Sequence, residues 1–435
     1  MTGTLLIILS WFLIFLFLVW KVKFFQPANI TFRLAGPVFI AKCAGAILTG
    51  WLYTYYYSSG DTFVLFDNSA IFFDALKSNP ADYFKMIFGI DSGSDYLKEM
   101  YFSKMNAWYN NEYDILFNDS RTIIRIHAVL RIFSFGQYYV HSLFFSFFSF
   151  AGLTAIYRTF LPYIKKHHEL FYAGTFLFPS LVFWGSGALK EAVVILAIGF
   201  LCYSSYRFIL KKTAWKFLTF LIAAYILILT RFYFLIALIP GLISFLLSVN
   251  GKNTWKKFAV VHLVWLLLLY CYGFINPSCD VPCIMSMKQN NFVQLAQFSK
   301  SGSIISNEFL QPTWKGLISE SPSAFTTSLT QPLVFTSDQM LLRLASVETL
   351  FTLLMIIEAL VLFRIPPKKD VPLLLFCLSF FVITFTFLGL TTPVAGTLVR
   401  YKVVALPFLV FVAGYFISNS KLFDKEESHI FKNKS

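Results

Sequence analysis

The feature that most constrains this chain is a repeated one: long apolar runs separated by short clusters of Lys and Arg. The first run, LLIILSWFLIFLFLVW, extends from Leu5 to Trp20, and a later one, VPLLLFCLSFFVITFTFLGL, from Val371 to Leu390. A hydrocarbon core about 30 Å thick is crossed by about 20 residues of helix. Runs of this length, repeated along a chain that is 57% hydrophobic and only 13% charged, predict a polytopic membrane protein, because soluble domains carry about 25% charge. The first run has no basic segment before it and no small-residue cleavage site after it. It therefore predicts a retained helix and not a signal peptide.

A formal net charge of +14 raises the question of nucleic acid, and the distribution of that charge answers it. The cations sit in short connections: Lys21 and Lys23; Lys165 and Lys166; Lys211, Lys212 and Lys216; Lys252, Lys256 and Lys257; Lys368 and Lys369; and the tail from Lys421 to Lys434. They alternate between successive spans, as the positive-inside rule requires, so no nucleic-acid partner is implied. Placing the clusters in the cytoplasm puts the amino terminus outside and the carboxy terminus inside.

The predicted fold is all-α: a polytopic transmembrane helix bundle of roughly eleven spans, forming one integral membrane domain over residues 1–435. Two large outer-face loops, 58–136 and 275–340, contain short amphipathic helices, and residues 419–435 form a cytoplasmic tail. In the first loop, RTIIRIHAVLRIF interleaves Arg121, Arg125 and Arg131 with apolar residues. That pattern suits a helix lying at the membrane surface, with a basic face toward lipid, phosphate or solvent. Residues 169–178 are too few to cross alone, and Arg231 marks an outer turn between two spans.

The stretch PSLVFWGSGALKE, Pro179 to Glu191, is the most informative motif. Pro179 ends one helix, and Gly185, Ser186 and Gly187 allow a sharp turn, so the next helix can begin inside the protein on Lys190 and Glu191. An ion pair at the head of a spanning helix marks a functional site or fixes how two helices pack. Under the predicted topology Asp61, Lys190, Glu191, Arg231, Glu348, Arg400 and Lys402 all fall at outer ends of spans. Separate helices thereby present acids and bases toward one outer cavity, although each residue alone could equally be a helix cap or an interfacial anchor. Arginine suits a phosphate because its planar fork binds two oxygens. A carboxylate can act as general base toward a sugar hydroxyl or hold a divalent metal, magnesium or manganese. Cys279 and Cys283, in CDVPC, could pair if that face is oxidising. No Walker or dinucleotide motif is present.

These motifs carry a resemblance. SGDTFVLFDNSAIFFDAL with its Asp61, followed by PSLVFWGSGALKE and by LTTPVAGTLVRYKVVALPFL, looks like the polytopic glycosyltransferases of the C-type superfamily and like bacterial polysaccharide polymerases. The FPSLVFWGSG-Leu-Lys-acid and Leu-Val-Arg-Tyr signatures also resemble those of a family of bacterial membrane proteins. The resemblance implies sugar transfer from a polyprenyl-phosphate carrier to a glycan or lipid acceptor, on the outer face of the bacterial cytoplasmic membrane. It places Asp61 at the superfamily's catalytic acid, although Asp67 and Asp74 are spaced differently from the usual paired acids. Asp61 and Glu191 are then the candidate catalytic residues, and Lys190, Arg231, Arg400, Tyr401 and Lys402 the candidate substrate-binding ones. A lipid-linked saccharide flippase and a non-catalytic cell-envelope scaffold are the alternatives. A transporter should carry charge through the membrane centre and at both mouths, whereas the predicted cytoplasmic side shows mainly topogenic lysines.

Overall fold

A computed structural model describes residues 2–27, 30–57, 60–108, 119–276, 280–298, 303–305, 308–333 and 339–420. Among these the chain forms eighteen α-helices and no β-strand, with one isolated bridge between Ile304 and Val394. The all-α expectation holds, and the chain is a multi-pass membrane protein.

Among the described residues eight helices are long and apolar enough to cross a membrane: α1 (Thr2–Lys21), α2 (Phe32–Tyr55), α7 (Tyr138–Phe160), α10 (Lys190–Leu210), α11 (Ala214–Leu247), α12 (Thr254–Ile275), α15 (Met340–Val361) and α16 (Val371–Thr391). A ninth crossing is available from α17 (Ala395–Lys402) and α18 (Leu406–Ser418), which meet at a bend of 59°. Two of the eleven predicted spans are drawn differently. Residues 168–176 form only the short helix α8 (His168–Phe176), about 14 Å long at 1.5 Å per residue. The two runs that meet at Arg231 are joined in α11, whose backbone is non-helical at Arg231 (φ −142°, ψ 72°).

The remaining helices are α3 (Asp61–Ser78), α4 (Pro80–Phe88), α5 (Asp95–Met100), α6 (Asp119–Ser134), α9 (Pro179–Phe183), α13 (Val281–Phe298) and α14 (Trp314–Thr330). By internal packing the chain divides into two compact units, residues 1–159 with 181–235, and residues 160–180 with 236–435.

In the first unit, α3 to α6 wrap a core in which the buried Trp108 stacks on Phe102 at 4.3 Å, beside Phe72, Met86 and Ile124. Buried Asp82 ties this segment together by accepting hydrogen bonds from Tyr96 (2.8 Å), Tyr101 (3.0 Å) and Asn79 (2.8 Å). Burial, with the Asp82 carboxylate beside it, pushes the Tyr101 phenol up to about 12. The arginines of α6 point inward, against the expectation of a basic face toward lipid or solvent. Arg121 and Arg125 donate to the carbonyls of Trp108 and Met86, both at 2.9 Å. Arg131 donates to Ser69 Oγ (2.7 Å) and to the Phe66 carbonyl (2.6 Å), while Val129, Ile132 and Phe133 are exposed. Other elements present these carbonyls to α6, from within α3 at Phe66, from the last turn of α4 at Met86 and from Trp108, and a guanidinium has donors enough to meet them.

Helices α7 and α10 of this unit cross at backbone contact. A Cβ at Gly199 would lie 2.1 Å from the Gly152 carbonyl oxygen, so neither position admits a side chain without displacement. Beneath α6, His127 Nδ1 and His141 Nδ1 are 2.8 Å apart, and His141 Nε2 lies 2.6 Å from Ser134 Oγ. A hydrogen bond between two Nδ1 atoms needs one of them protonated and the other bare. Burial first, then the nearby Arg131 charge, lowers the His127 imidazole to about 3.

In the second unit, α8 packs on α18 through Phe171 and Phe411, and Phe411 stacks on Phe160 at 4.3 Å. Helix α14, which falls in the second predicted loop, lies along α16, with Phe325 edge-on to Phe381. Tyr415 donates to Asp370 at 2.8 Å. Cys283 is half-buried, and its predicted partner Cys279 lies outside the described residues.

Candidate functional site

The PSLVFWGSGALKE segment does start a helix inside the protein. After α9 the chain turns through Trp184, Gly185 and Ser186, with Ser186 N–H and Gly187 N–H both donating to the Phe183 carbonyl. Residues 185–191 are all buried. Glu191 is 1% exposed and Lys190 8%. Thus α10 presents two ionisable side chains to the interior in its first turn, where the helix's unpaired amides favour the carboxylate.

Arg231 supplies the opposing charge. Its Nη2 lies 3.3 Å from Glu191 Oε1, with both side chains buried, and its Nη1 donates to the Tyr233 hydroxyl. The break in α11 makes this possible, because a non-helical residue there turns its side chain off the helix face. Lys190 Nζ donates to Ser120 Oγ, in the first turn of α6, at 3.3 Å. The buried cluster therefore gathers α6, α10 and α11.

Asp61 reaches the same region through its neighbour. Gly60 packs so closely on the Tyr53 ring that a Cβ would lie 2.3 Å from it, which brings α3 down onto the end of α2. Thr62 then donates to the Ala188 carbonyl at 3.0 Å and shares a 2.6 Å hydrogen bond with the Tyr138 hydroxyl. The helix that begins on Asp61 is thereby tied two residues upstream of Lys190. Asp61 itself is exposed in the first turn of α3.

No family model, curated protein or solved structure matches the chain.

Arg400, Tyr401 and Lys402 belong to the second unit, at the end of α17, and all three are buried. The Arg400 guanidinium lies 5.8 Å from the centre of the Tyr401 ring. Lys402 Nζ donates to the Gln331 carbonyl and faces Glu348 across a small cavity that also meets Thr349 and Thr352. At about 20 Å³ it has room for a single water molecule. Glu348 Oε2 accepts from Ser180 N–H at 2.6 Å, capping the start of α9.

Two kinds of residue here lie outside the expectations drawn from sequence. Ser120, Tyr233, Thr62 and Tyr138 have no signature, because an uncharged partner is recognisable only once its neighbours are placed. Lys42 had one: a cation within the apolar run FIAKCAGAIL. It is fully buried in α2 and donates to the Leu181 carbonyl at 3.0 Å, stitching α2 to α9. Among the described residues no three His, Cys, Asp or Glu side chains come together as a metal cage.

Proposed function

We propose that this chain is a membrane glycosyltransferase or glycan polymerase that draws on a polyprenyl-phosphate-linked sugar. The observation that carries the proposal is the buried Glu191–Arg231 pair, with Lys190 beside it, at the head of a spanning helix tied to the helix of Asp61. Charges buried at membrane depth cost several kcal/mol unless compensated, so their retention favours a task beyond packing.

In the proposed transfer an acceptor hydroxyl attacks the anomeric carbon of the donor. The bond from that carbon to the phosphate oxygen breaks, and the acceptor proton passes to the carboxylate of Asp61. The lipid phosphate leaves carrying the bonding electron pair, and arginine or lysine side chains stabilise its charge. Arg231 and Lys190, in the same unit as Asp61, are the candidates for that role. Glu191 orients Arg231.

The test is mass spectrometry of lipid-linked products formed by purified protein in lipid from a pool of polyprenyl-phosphate sugars. Asp61→Asn is expected to lose about 10²- to 10⁴-fold in rate, the usual cost of one positioned base. Arg231→Lys is expected to weaken transfer although charge is kept, because the bidentate fork is lost. Full activity in Asp61→Asn removes it from the mechanism, and saccharide crossing the bilayer with no new glycosidic bond makes the protein a flippase.

A further inference from the structure

The first unit carries a second concentration of charge, at the opposite end of α10 from Glu191, where α1, α7, α10 and α11 come together. Arg158, near the end of α7, donates to the Phe24 carbonyl at 2.7 Å and to that of Lys23, beyond α1. Phe24 in turn stacks on Phe200 and meets Tyr203 of α10. Arg207, in the last turn of α10, lies 5.9 Å from the centre of the Tyr203 ring. Lys216, in the first turn of α11, donates to the carbonyls of Arg207 (3.1 Å) and Lys211 (2.9 Å). A chain of contacts thus links the side chains of Arg158, Arg207 and Lys216 with the main chain at Lys23 and Lys211, with Lys21 at the end of α1.

All the hydrogen bonds these cations make go to neutral groups, which satisfy donors without cancelling charge. No carboxylate of a described residue comes within ion-pair distance of any of the six. Arg158 and Arg207 repel each other, and Lys216 is repelled by both Arg207 and Lys211. A cluster of like charges fixed in this way calls for an anion from outside the chain.

Its depth identifies the source. Trp20 and Trp215 flank the cluster and are 50% and 72% exposed, with Lys21 Nζ 3.9 Å over the Trp20 ring. Exposed tryptophans with basic neighbours at the ends of apolar helices mark the headgroup level of a bilayer. From there the same helices run on through exposed Phe17, Leu13, Leu218 and Ile222, an apolar surface for acyl chains. We infer that this rim is a binding site for the phosphodiester headgroup of an anionic phospholipid.

Native mass spectrometry of the full chain in neutral detergent tests this, counting retained phosphatidylglycerol against phosphatidylcholine. The triple variant Lys23→Gln, Arg207→Gln, Lys211→Gln removes three exposed charges and leaves every carbonyl acceptor in place. At about fivefold per cation it should bind phosphatidylglycerol roughly a hundredfold more weakly. Its phosphatidylcholine binding and far-UV circular dichroism should match the wild type, which guards against misfolding. Equal retention of the two lipids by the wild type, or undiminished phosphatidylglycerol binding by the variant, overturns the inference. So does inorganic phosphate displacing phosphatidylglycerol at millimolar concentration, which would assign the site to a free anion. None of these outcomes depends on transferase activity.

Discussion

Replacing Arg231 by Met removes the guanidinium that faces Glu191 at 3.3 Å while filling a similar volume. Arg231 is 5% exposed and Glu191 1%, so water cannot readily take the place of the lost charge. Breaking a buried pair in such surroundings costs about 3–5 kcal/mol, equivalent to between two and four decades in the folding constant. Glu191→Gln should cost a similar amount for the converse reason. The double variant Glu191→Gln, Arg231→Met leaves neither charge exposed to the apolar interior, so its loss should fall short of the sum by about 1–3 kcal/mol, the usual coupling of contacting residues. Reversible denaturation in mixed micelles, followed by tryptophan fluorescence, measures all four corners of the cycle. Single losses below about 1 kcal/mol, or additivity within about 0.5 kcal/mol, would refute a buried pair that holds α10 against α11. If the double variant is stable yet inactive in sugar transfer, the pair's chemical role separates from its packing role.

Thr62→Val, nearly isosteric, should cost about 1–3 kcal/mol by stranding the Ala188 carbonyl and the Tyr138 hydroxyl; it should also slow transfer by loosening the helix of Asp61, as product mass spectrometry can determine. Gly199→Val should cost about 1–3 kcal/mol or more in thermal unfolding, because its side chain would press on the Gly152 carbonyl and separate α7 from α10. His127 is held neutral with its folded pKa near 3, below its unfolded value of about 6.5, so the unfolded chain binds the extra proton between those values. Its contribution to stability is therefore intact above about pH 6.5 and is lost as pH falls toward 3; His127→Gln should flatten that part of the pH–stability curve, and an unchanged slope would exclude His127 as its source.

The sequence by itself determined the class of fold, because hydropathy and run length are local and a bilayer admits few solutions to them. It also located Lys190 and Glu191 at a helix start, since Pro179 and the Gly185–Gly187 turn act within a few residues. What it could not determine was which residues those charges meet. Arg231 itself marked the break between two apolar runs, and the backbone does break there, but that its guanidinium meets Glu191 depends on α10 and α11 lying side by side, which no local pattern records. The arginines of α6 read as an outward basic face by periodicity alone, yet they turn inward because carbonyls from Phe66, Met86 and Trp108 come to them from other elements. Lys42 and Leu181, or Thr62 and Ala188, are joined across more than a hundred residues of chain. Such pairings depend on which helices become neighbours, and that follows from close packing at places such as Gly152 and Gly199, where backbones touch only after the chain has folded.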